Sequence, residues 1–215
     1  CRDISSDNLP ISSESAIVHK RKGAHPMLDR GKKSLNDIVL TFNFFQMPVK
    51  MARSARYGLL AVFIVSAVVA IALTPMTPLD AVLTAGVVTV LHLFCSLLHH
   101  YGHFLSAKWA GKPSTGVQLW GILGTTLYPM LSKVTVTPKQ HMQRAIGGPV
   151  LSGIFFILVL ILTWQFWNVS PVLNFLLGYL IFNQVAVNTI GALIPMKLGP
   201  VTTDGMIIWQ NWRKL

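Results

Sequence analysis

Apolar residues fall along this chain in four long runs, and the breaks between them set the expected elements. The first run, from about Tyr57 to Leu73, is about 17 residues long, near the minimum for a helix that crosses ~30 Å of hydrocarbon. Pro75 and Pro78 end it. Thr77-Pro78-Leu79-Asp80 then has the form of a helix start, with a Thr cap, Pro at the first helical position and an acid in the first turn. The second run goes from about Leu79 through His103. Its polar residues His92, Cys95, Ser96, His99 and His103 recur every three or four positions and form one stripe facing a bundle interior. Gly111 to Pro129 is apolar but broken by glycine and proline into stretches too short to span, so it predicts a short re-entrant loop or β-hairpin. A third run opens at Gly147-Gly148-Pro149 and ends at the interfacial pair Trp164 and Trp167. The fourth goes from Pro171 to about Ile194 and is stopped by Pro195, and a short helix from Asp204 to Leu215 closes the chain. The expected fold is an all-α membrane protein with about four transmembrane helices and a small insertion between spans 2 and 3.

Composition agrees: 52% of the 215 residues are hydrophobic and 12% charged, which excludes an ordinary soluble domain. Residues 1–50 are polar and basic, with a short apolar patch at Ile38–Phe45, and read as a disordered extension. Met51-Ala52-Arg53 is a candidate start, which makes 51–215 the membrane domain. A lipidated Cys1 is the alternative. The net charge of +11 does not point to nucleic acid, because the basic residues collect between apolar runs. Ten precede the first span, five lie between spans 2 and 3, and three follow span 4. All therefore share one side, which predicts both termini on the cytoplasmic (or stromal) face. Cys1 and Cys95 make no disulfide framework.

The chemistry gathers at Leu97–Trp109. His99 and His103 stand four apart on one helical face, the spacing at which two imidazoles grip one zinc ion, as in the metalloprotease pattern H-E-x-x-H. His100 occupies the position of the general-base glutamate. Asp204, on the loop after span 4 and on the same side, is a natural third ligand that leaves a fourth coordination position open; an N-cap for the terminal helix is its other reading. A haem held by His92, His99 or His103 is a further reading, weakened because all three lie on one helix.

These residues resemble the site-2-protease family of intramembrane zinc metalloproteases over roughly residues 57–215. The resemblance rests on His99–His103 with Gly102 before the second histidine, on the basic linker Lys108–Pro113, and on Gly148-Pro149, similar to the family's Gly-Pro-x-x-Asn. It rests too on Ile194-Pro195 followed by Thr203-Asp204-Gly205, similar to its Asn-x-x-Pro…Asp-Gly ending. It implies Zn²⁺ at His99, His103 and Asp204, inside the bilayer near the cytoplasmic face. It also implies a transmembrane protein substrate or partner held in a groove that draws on Gly121, Gly124, Gly148, Pro149 and Asn188, with Gly116–Pro129 pairing to the unwound segment. Ser152 and Ala192 stand where the family has asparagine, and His100 where it has glutamate.

That last departure predicts lost or weakened activity. The only glutamate is Glu14, and past residue 50 the only acids are Asp80 and Asp204. Asp80 is nineteen residues from His99, roughly 28 Å along a helix, at the opposite membrane face. General acid–base catalysis is typically worth 10²–10⁴-fold. His100 is a bystander in a dead site, a substitute base, or an extra ligand that closes the site. Two functions therefore stay open: a metalloprotease-like protein acting on transmembrane helices, and a non-catalytic pseudoprotease that binds membrane partners as a regulator or assembly factor.

Overall fold

The computed structural model describes residues 37–129, 135–198 and 201–215. Among the described residues four helical segments are long and apolar enough to cross a membrane: α1 (Arg53–Leu73), α2 (Pro78–Trp109), α3 (Pro138–Phe166) and the stretch Pro171–Leu193. That stretch comprises α4 (Pro171–Phe182), a π-helical segment (Asn183–Thr189) and α5 (Ile190–Leu193). Their outer faces expose large apolar side chains such as Ile64, Val65, Val90, Ile154 and Ile161, the surface a lipid-facing bundle needs. Small residues line the α1–α2 contact, with Ala67 and Ala70 on one helix and Ala81, Thr84 and Ala85 on the other buried, which lets the backbones approach closely.

The α2 start is the one its sequence predicts: Thr77 Oγ1 accepts from the Asp80 amide at 3.2 Å, with Pro78 first in the helix. The third helix starts earlier than Gly147-Gly148-Pro149. Thr137 and Gln140 close a reciprocal capping box around Pro138, a stronger start signal, and Pro149 lies inside α3, where its missing N–H leaves one intrahelical bond unmade.

The insertion after α2 is a β-hairpin, β3 (Gly116–Trp120) and β4 (Leu123–Leu127), joined at Gly121-Ile122. It belongs to a larger sheet. β1 (Ile38–Phe44) and β2 (Met47–Ala52) form a second hairpin, and β2 pairs in parallel with β3, giving the order β1-β2-β3-β4. This corrects the expected disordered extension through residue 50: from Ile38 onward the chain is strand. The reason is alternation. Met47, Val49 and Met51 all point inward to a core with Leu97, Val117 and Leu119, while Pro48 and Lys50 face out. The rest of that extension, residues 1–36, lies outside the described residues. Near the C-terminus, β5 (Lys197–Leu198) pairs with β6 (Val201–Thr202) before α6 (Asp204–Trp212).

Candidate metal centre

His99 and His103 lie one turn apart on the buried face of α2 that meets α3, and both rings are almost wholly enclosed. Their Nε2 atoms are 3.1 Å apart. Asp204 Oδ2 lies 3.3 Å from each. Asp204 is not the α6 cap. Thr203 is, its Oγ1 accepting from the Met206 amide while lying 2.7 Å from the Ile194 carbonyl. That double attachment ties the start of α6 to the end of the fourth span and aims the carboxylate inward. Burial alone would raise the Asp204 pKa, but the adjacent His103 and His99 imidazoles hold it well below the usual carboxylate range, so it is ionised at neutral pH.

The three donor atoms suit a metal. An ion about 2.0 Å from tetrahedral N and O donors holds them about 3.3 Å apart, close to the three separations found. The far ring nitrogens are already engaged: His103 Nδ1 donates to the Arg144 carbonyl at 2.8 Å, and His99 Nδ1 lies 3.2 Å from Ser152 Oγ. The Arg144 carbonyl can only accept, whereas the Ser152 hydroxyl can accept from or donate to His99 Nδ1; both contacts hold the ring orientations that bring the Nε2 atoms to Asp204. Two Nε2 atoms and a carboxylate oxygen this close share a positive charge, an imidazole proton in the metal-free chain or a metal cation in its place. His99, His103 and Asp204 form a group able to hold a metal ion.

Gly148 makes this geometry possible. A Cβ there would overlap the imidazoles of both His103 and His99. In an ordinary helix interior Gly→Ala stabilises by about 1 kcal/mol. Here Gly148→Ala is expected to cost about 1–3 kcal/mol through overpacking and to weaken metal binding, as thermal melting and metal titration of the variant would record. A variant that melts no lower and binds metal unchanged would contradict this placement of the rings.

His100 faces another way. Its Nδ1 lies 3.0 Å from Thr126 Oγ1 on β4, and its ring fills the space a Cβ on Gly124 would occupy. It sits beside the donors, with ring centroids 5.3 Å from His99 and 5.8 Å from His103, but its nitrogens do not join their cluster. The extra-ligand reading therefore finds no support in this arrangement.

Of the expected groove residues, Gly148 lies against His99 and His103, Pro149 after it is buried within α3, and Gly124 lies against His100. Gly121 is at the hairpin turn, its carbonyl pressed on Gly58 of α1. Asn188 is on the π-helical segment, where its Nδ2 donates to Asn183 Oδ1 at 2.6 Å. Asn183 in turn reaches His92 Nδ1, which lies 2.8 Å from the Tyr179 hydroxyl, while His92 Nε2 donates to the Ile122 carbonyl. His92 is thus the hydrogen-bonded core histidine its position on the polar stripe predicts. Both its nitrogens are engaged, so the haem reading loses a ligand. Sequence reasoning assigned no role to Thr126, Tyr179 or the Arg144 carbonyl, because each meets a histidine distant in sequence, nor to Thr203, whose place before α6 is a local cap signal that could have found it.

In overall structure the chain is similar to the site-2 protease from Methanocaldococcus jannaschii, with a TM-score of 0.51 and 23% sequence identity over 81% of this chain and 71% of that one. No family model and no curated protein matches the chain. The likeness establishes a site-2-protease-like fold, and the four apolar helices make the chain an integral membrane protein.

Proposed function

We propose that this chain is a zinc-holding relative of the intramembrane metalloproteases that engages transmembrane helices with little or no power to cut them. The observation that carries this reading is the His100 ring turned into the hairpin and hydrogen-bonded to Thr126. Among the described residues the remaining acids are remote: Asp37 pairs with Arg53 at 3.7 Å, and Asp80, in the first turn at the far end of α2, accepts from Thr77 Oγ1. Asp204 is committed to the metal, so the site offers no carboxylate to accept and return a proton.

His99, His103 and Asp204 would hold the ion, with Ser152 and the Arg144 carbonyl orienting the two rings. Zinc, when bound, supplies a Lewis acid. Among the described residues β4 is the last strand of the sheet and one of its edges pairs with no other strand, which suits addition of an extended segment, and His100 holds β4 against α2. The partner is thus a transmembrane protein that presents a locally unwound helix, met from a multi-pass chain with both termini on the cytoplasmic (or stromal) side.

The test is to reconstitute the purified chain with zinc and a model transmembrane substrate, measuring bound metal, photocrosslinking from a β4 position and peptide cleavage. One zinc per chain, crosslinks to the substrate and no cleavage are expected. Cleavage by the wild type that disappears in Asp204→Ala would instead make His100 a working base and the chain a protease.

A further inference from the structure

The face of α6 turned away from the bundle belongs neither to the metal centre nor to the strand edge. Gly205 and Asn211 on this helix are buried, and it packs against α3. Trp209 and Trp212 are 51% and 68% exposed, and the Arg213 guanidinium lies over the Trp209 ring at 4.3 Å, with Lys214 following. Isolated exposed apolar residues on a membrane protein face lipid tails. This group is different, because it mixes indoles with cations.

Its depth follows from the fold. Asp204, at the start of α6, sits beside His103, six residues before α2 ends at the exposed Trp109. The body of α6 therefore lies at the membrane face where α2 ends and α3 begins. The described segments at that face carry Lys108, Lys112, Lys139, Lys197, Arg213 and Lys214, whereas the short connections at the other face, 74–77 and 167–170, carry no basic residue. Tryptophan prefers the headgroup layer, and a cationic surface held at that depth complements anionic lipid.

We infer that the Trp209–Trp212–Arg213–Lys214 face of α6 docks on anionic phospholipid headgroups, and that this anchorage holds Asp204, at the other end of the same nine-residue helix, in register with His99 and His103. The coupling half rests on the proposed metal site; the docking half does not. A short helix joined to the fourth span through the Thr203 contacts transmits a displacement of its exposed end directly to its first residue. Lipid composition then becomes a regulator of the metal centre.

The full chain is placed in vesicles of phosphatidylcholine alone, or of phosphatidylcholine and phosphatidylglycerol in equal parts, with one lipid brominated at a time. The Trp209 and Trp212 contribution to fluorescence is isolated by comparison with W209F/W212F. Brominated phosphatidylglycerol is expected to quench it in preference to brominated phosphatidylcholine, and R213Q/K214Q to reduce that preference by roughly fivefold per charge removed. Equal quenching by both lipids overturns headgroup docking. Quenching by neither does so as well, and means that protein, such as a second copy of the chain, covers the face. In parallel, zinc affinity is expected to be higher with phosphatidylglycerol in the wild type and equal in the two vesicles for R213Q/K214Q. Lipid preference without any change in zinc affinity overturns the coupling. Failure to bind zinc in either vesicle defeats the metal reading itself, while the quenching still decides the docking.

Discussion

His100→Glu is expected to raise the rate of peptide-bond cleavage in a reconstituted transmembrane substrate by about 10²–10⁴-fold, the usual worth of a placed general acid–base group. The residue lies on the same turn of α2 as His99, its ring centroid 5.3 Å from that of His99, so a carboxylate on this backbone stands next to the metal donors. Glutamate lacks the imidazole ring that fills the space over Gly124, and its side chain has one more rotatable bond. It is therefore freer to face Asp204 and the histidines than the ring it replaces. The comparison is single-turnover cleavage by wild type and variant at matched zinc occupancy. An H100E protein that binds zinc and crosslinks to substrate but cuts no faster would show that more than the base is missing, and would turn attention to Ser152 and Ala192.

Asp204→Ala is expected to lower zinc affinity by more than about 100-fold, since losing even an outer partner of a metal ligand costs 10–100-fold. Two imidazoles would remain, on one helix and without a counter-charge. The change leaves the rest of α6 intact, because the helix is capped by Thr203, so its helicity should shift little. Metal content of the purified protein and competition with a chelating dye measure the effect. Zinc retained at wild-type affinity would remove Asp204 from the site and leave the two histidines to explain by packing alone.

The helical frame was legible because its signals are local. Length, hydropathy, Thr77-Pro78 and the histidine stripe each act within a few turns, and the structure realises them. The pairing of His99 and His103 with Asp204 was legible for another reason: the basic residues put both ends on one face, and the chain offers few other acids. What escaped was non-local. The role of β2 depends on β3 beyond two helices, and the short alternation in Met47–Ala52 marks a strand without showing what it pairs with. Pro149 misled because proline at a helix start and proline inside a long apolar helix look alike unless the capping box at Thr137 is weighed against it. Thr126 is invisible from sequence, since its significance lies in the ring it meets.

The parallel pairing of Val49 with Val117 carries a consequence for assembly. β2 leads straight into α1, and β3 follows α2, so these strands can meet only after the chain has passed out through the bilayer and come back. Until then β2 has a hairpin partner on one side alone, and the core of Met47, Val49, Leu97 and Val117 is unmade. Long-range pairing of this kind forms late. The sheet thus closes as a latch on a completed double passage, and a chain inserted with one crossing too few would leave β2 and β3 on opposite sides of the membrane, with nothing to hold β4 beside the histidines.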